Sequence, residues 1–128
     1  MAVPAYVTFD TQAPERIVPF WCDLLEVEVQ ITRDEGRYVV LAPSRLLPGS
    51  MMLVFQRVPE PKTGKNRMHV DVIVDDIEEA TRKVEALGGR WIEPGHTQDV
   101  DGYYWRVMAD PEGNEFCICL NPQKRSEK

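Results

Sequence analysis

The chain has 128 residues, 43% hydrophobic and 28% charged, which is ordinary for a globular domain and enough for one buried core. A net charge of -6 and a pI of about 4.9 argue against nucleic acid, which selects a basic face, and no apolar run approaches the roughly 20 residues of a membrane helix. Cys22, Cys117 and Cys119, an odd set, make a poor disulfide framework, and the opening MAVPAYVTFD has neither region of a signal peptide, so cytoplasm is the expected location.

A first strand is expected over about Ala5 to Asp10, where Tyr6, Thr8 and Asp10 alternate with Val7 and Phe9. A helix follows from about Pro14, with Ile17, Phe20, Trp21, Leu24 and Leu25 on one face. Pro14 suits the first helical position, whereas an interior Pro19 removes a donor at a cost of about 3 kcal/mol and predicts a kink or a late regular start. Three strands come next, over Val27 to Thr32, Arg37 to Ala42 and Met51 to Arg57, with turns at Asp34-Glu35-Gly36 and Pro48-Gly49. The segment from Val58 to Asn66 reads as a short linker. Arg57, Lys62, Lys65 and Arg67 form a local basic cluster, best read as a solvated loop with some pull on an anion.

The order then repeats. Met68 to Val74 is a strand, and Asp75 or Asp76 caps a helix whose buried stripe is Ile77, Ala80, Val84 and Leu87. Gly88-Gly89 ends that helix, and strands are expected over Arg90 to Glu93, Tyr103 to Ala109 and Glu115 to Leu120. An offset of 63 residues lays Tyr6 on His69, Val7 on Val70, Phe9 on Val72, Trp21 on Val84 and Leu24 on Leu87. Identity is negligible, but element order and apolar pattern agree, which indicates an internal duplication. The expected fold is α+β, with two βαβββ modules at about residues 1 to 62 and 63 to 122, eight strands in all and a polar tail over 123 to 128.

The string MHVDVIVDDIEEATRKVEALGG, followed by ADPEGNEFCIC, resembles the second module of the vicinal oxygen chelate superfamily, the glyoxalase, bleomycin-resistance and dioxygenase proteins. FDTQAPERIVPFWCDLLEVEV is similar to the opening of its first module, and FQRVPEPKTGKNRMHVDV resembles the glyoxalase-like proteins common in actinobacteria. The resemblance implies that each module curls its sheet into half of one cleft, often holding a divalent metal, with ligands from four positions. Carried onto this chain, these fall at Tyr6, Gln56, His69 and Cys117. Val54 and Gln56 share a strand face, and of the two only Gln56 can ligate.

That set departs from the superfamily's His, Glu and Gln pattern, since only His69 matches well. Hard cations want oxygen ligands, and His69 with Cys117 falls short of the three protein ligands of a catalytic zinc. No resident metal is therefore expected; were zinc, nickel, iron or manganese present, its ligands would be His69, Gln56 and Cys117. His69 then has the alternative roles of base or hydrogen-bond donor beside Asp71, which shares its face, or of a partly buried structural histidine, while His96 belongs to a loop that is solvated or lines the cleft mouth. Tyr103 and Trp105 lie on one face and Tyr104 on the other; one face should be core, the other free to stack on a planar ligand. Met51, Met52, Met68 and Met108 are either adaptable cleft walls or core fillers.

No nucleophile elbow, P-loop or dinucleotide fingerprint is present, and Cys22 has no nearby His. Two readings stand. One is a metal-free binder of a small, aromatic or drug-like molecule in the cleft, through Tyr6, Gln56, His69, Tyr103, Trp105 and Cys117. The other is a metal-dependent lyase, isomerase or dioxygenase centred on His69. A homodimer is expected in either case, because curled sheets leave edge strands to cover.

Overall fold

In the computed structural model, which describes residues 1–47 and 49–123, backbone contacts divide the chain into two compact units, Met1–Lys62 and a second that begins at Thr63. In the first unit, β1 (Tyr6–Thr11) leads into α1 (Pro14–Leu25), followed by β2 (Val29–Arg33), β3 (Tyr38–Leu41) and β4 (Met52–Arg57). The sheet order is β1-β4-β3-β2, parallel between β1 and β4 and antiparallel elsewhere. Ile17, Phe20 and Trp21 from α1 are fully buried with Phe55 and Leu41 of the sheet, and Phe9 meets Trp21 edge-on at 5.2 Å between ring centroids. Pro14 takes the first helical turn as expected. Pro19 is accommodated inside α1 on its exposed side, and its missing N–H leaves that position of the helix ladder without a donor.

The second unit runs β5 (Asp71–Val74), α2 (Ile77–Ala86), β6 (Arg90–Trp91), β7 (Gln98–Val100), β8 (Tyr103–Ala109) and β9 (Glu115–Leu120). Its sheet has the order β5-β9-β8-β6, with β7 also paired to β8. Asp76 caps α2, its Oδ1 accepting from the N–H groups of Glu78 and Glu79 at 3.0 Å. The helix closes as the glycine pair requires: Gly88, at φ +100, lets Gly89 N–H reach the Val84 carbonyl at 2.9 Å. Ile77, Val84, Met108, Phe116 and Ile118 form the core of this unit.

The duplication survives in the hydrogen-bond register. Thr8 pairs with Val54 in the first parallel ladder and Asp71 with Cys117 in the second, and the 63-residue offset carries one pair onto the other. Three expectations need correction. There are nine strands among the described residues, not eight, because β7 pairs with β8 across the turn Asp101-Gly102. Both turn residues have positive φ, +53 and +82, the twist that a two-residue hairpin demands. The strand expected from Met68 begins at Asp71, so His69 lies just before it, and the strand expected over Arg90 to Glu93 stops at Trp91. Pro48 and residues 124 to 128 of the expected tail lie outside the described residues.

Candidate functional site

Alternation along β8 and β9 gives the second sheet two unlike faces. Phe116, Ile118 and Leu120 are buried, as are Arg106 and Met108, while Cys117, Cys119, Trp105 and Val107 alternate with them. Strand register sets the alternating residues in rows: Asp71, Cys117 and Val107 in one, Ile73, Cys119 and Trp105 in the next. These rows floor a concavity of about 640 Å³, walled at one end by Tyr103 and at the other by His69. Asn66 fastens the loop before β5 to the start of β9: its N–H donates to Glu115 Oε1 at 3.0 Å and its Nδ2 to the Glu115 carbonyl at 3.3 Å.

At the polar end His69 Nε2 lies 3.1 Å from Asp71 Oδ1, and ligand atoms of His69, Asp71 and Cys117 all lie within 4.8 Å of one another. Burial, and then the Asp71 carboxylate beside it, push the Cys117 thiol up to about 11, while Lys65 pulls weakly the other way. Burial and the same carboxylate push Cys119 to about 12. Both are neutral thiols at physiological pH, poor as nucleophiles and poor as ready-made ligands.

The structure gathers one donor more than the His69–Cys117 pair expected from sequence, because Asp71 joins them. Mg²⁺ or Mn²⁺ would find one carboxylate where several oxygens are needed. A zinc-type ion would displace the His69–Asp71 contact and the Cys117 thiol proton as it bound. The Asp71 carboxylate lies between the His69 imidazole and the Cys117 thiol.

Of the residues singled out from sequence, His69, Cys117, Tyr103 and Trp105 come together around this one concavity. Tyr6 and Gln56 belong to the first unit. There Tyr6 pairs with Met52, and Gln56 with Asp10 and Tyr38, two rows further along the same face. The position equivalent to Cys117 is Val54, and Gln56 is the counterpart of Cys119. Of the tyrosine–tryptophan run, no member is fully buried, so neither face supplies the core that alternation alone suggests; Met108 fills that place, while Met51 and Met68 are exposed. His96 is exposed, as expected of its loop.

Two features were missed. Asp71 had been placed on the face of His69, but its position between imidazole and thiol depends on the pairing of β5 with β9. Arg106 is the other. It is 4% exposed, donates through Nε to Thr97 Oγ1 and through Nη1 to Thr81 Oγ1, each at 2.8 Å, and pairs through Nη2 with Glu78 Oε2 at 2.6 Å. Its guanidinium lies 4.0 Å over the Trp91 ring. This network fastens the back of β8, whose other face carries Tyr103 and Trp105.

A family model described as a glyoxalase-like domain matches residues 6–119. Among solved structures, a glyoxalase/bleomycin resistance protein/dioxygenase family enzyme from Burkholderia phytofirmans PsJN superposes with a TM-score of 0.75 at 17% identity, covering 93% of this chain and 98% of its own. A superfamily member from Sphaerobacter thermophilus DSM 20745 gives 0.68 at 18% identity, covering 94% and 98%. A lactoylglutathione lyase from Agrobacterium tumefaciens gives 0.65 at 16%, covering 94% and 95%. At such identities the likeness is one of fold. No curated protein matches the chain.

Proposed function

The chain belongs to the glyoxalase-like domain family, and on that premise we propose that it is a cytoplasmic protein that binds a small, flat, largely apolar molecule without a resident metal. The observation that carries the reading is the concavity on the second sheet. Its volume of about 640 Å³ lies in the range of small-molecule sites, and it combines an apolar floor and aromatic side chains with a few convergent polar groups. Tyr103 and Trp105 give the ligand a stacking surface, and His69 with Asp71 gives it a polar anchor. The protein works as a homodimer, which covers β2, an edge strand with all five residues exposed.

The test is native mass spectrometry of the purified protein for a co-purified compound, together with a small-molecule screen read by tryptophan fluorescence. Binding of planar compounds that Trp105→Ala weakens at least tenfold is the expected result; a screen without a planar binder would overturn the reading. A divalent-metal-dependent lyase, isomerase or dioxygenase centred on His69 is the second reading, favoured by the grouping of His69, Asp71 and Cys117. One equivalent of bound metal, lost on His69→Ala, would make it the better one.

A further inference from the structure

The charges around the concavity are not balanced, and their positions say more about the ligand. Resting on the binding function above, we propose that the ligand is a planar aromatic cation, with its ring over the Cys119–Trp105 row and its positive group directed at Asp71. Two carboxylates, Asp71 and Glu115, line the site, against Lys65 as the one lysine or arginine among the described residues there. Glu115 already accepts the Asn66 N–H, and the Lys65 ammonium lies 3.5 Å from the Asn66 carbonyl at the loop end. Asp71 is the carboxylate that faces the floor. Its Oδ1 lies 3.1 Å from His69 Nε2 with the Cys117 thiol beside it, and neither a neutral imidazole nor a thiol cancels its charge.

The row geometry sets the size of the ligand. From Trp105 on β8 to Asp71 on β5 is two strand spacings and one two-residue step, about 12 Å between backbones. Side chains leaning inward shorten this to the span of a two- or three-ring system with one substituent. Trp105 and Tyr103 present electron-rich faces that favour a positively charged ring, and the net charge of -6 draws cations toward the protein as a whole. A basic site would have read oppositely, selecting carboxylates or phosphates.

Three isosteric probes separate the possibilities: 9-aminoacridine (cationic), acridine (neutral at pH 7.5) and acridine-9-carboxylate (anionic), titrated by fluorescence into the 128-residue protein. The expected order is cation, neutral, anion, with the cation bound about threefold to tenfold tighter than the neutral ring at low salt. That preference should shrink as salt is raised, and in Asp71→Asn the ratio of cation to neutral affinity should fall to about one, whatever the change in overall affinity. Because the comparison of the three probes uses the unmutated protein, it stands even where a variant folds poorly. Equal binding of all three, or tighter binding of the carboxylate, overturns the charge assignment and leaves the binding function intact. Failure of all three to bind at millimolar concentration overturns the binding function itself.

Discussion

Arg106→Met should cost about 2–3 kcal/mol of stability. The guanidinium is buried but its ion-pair partner is not: the Glu78 side chain is 58% exposed, so water screens that contact to below about 1 kcal/mol and re-solvates the carboxylate when Arg106 is removed. The Thr81 hydroxyl still donates to the Ile77 carbonyl at 2.7 Å, so no buried donor is orphaned. What is lost is the stacking over Trp91, on the order of 1–2 kcal/mol, and two short hydrogen bonds from a charged donor, about 1.5 kcal/mol or more each. Against that stands the recovered cost of burying the guanidinium, several kcal/mol, which keeps the net well below the sum of the contacts. The assay is chemical denaturation of the wild type, Arg106→Met, Glu78→Gln and Trp91→Leu, with the two double mutants containing Arg106→Met. We expect a coupling of about 1 kcal/mol or more between Arg106 and Trp91, a smaller one between Arg106 and Glu78, and a fall in Tm on the order of 10 °C for Arg106→Met. An Arg106→Met variant as stable as the wild type, or a coupling to Glu78 above 2 kcal/mol, would refute the reasoning.

Gly102→Ala should destabilise by about 1–2 kcal/mol in a thermal melt, because φ +82 at a type I′ turn penalises any Cβ, whereas Asp101→Asn should be near neutral. The thiols of Cys117 and Cys119, raised to about 11 and 12, should be alkylated by iodoacetamide at pH 7.5 at least about tenfold more slowly than a free cysteine, read by peptide mass mapping. The folded state holds these protons more tightly than the unfolded chain, so their contribution is complete below the unfolded thiol pKa of about 8.5 and is lost as pH rises from there through 11 to 12. Denaturant midpoints should fall across that window, and less so in Cys117→Ala. Elemental analysis should find far less than one metal equivalent per chain in both the wild type and His69→Ala. Sedimentation at micromolar concentration should give twice 14.7 kDa, and a 14.7 kDa species would count against the dimer.

The elements that periodicity alone specifies were legible: α1 and α2 from apolar steps of three and four, Asp76 as a cap with Glu78 and Glu79 behind it, β8 and β9 to the residue. The two-module pattern was legible too, because each half packs a helix on its own sheet, which demands the same apolar spacing even where identity is gone. The hairpin at Asp101-Gly102 has a plain dipeptide signal in the sequence, flanked by Val100 and Tyr103. Tertiary structure decided what periodicity cannot: which strands lie side by side. Only the parallel pairing of β5 with β9 sets Asp71 against Cys117, and only the placement of α2 behind β8 brings Glu78 and Thr81 to Arg106. Strand alternation assigns a residue to a face, but its neighbours on that face come from other strands, and their register depends on hydrogen bonds between segments far apart in the chain.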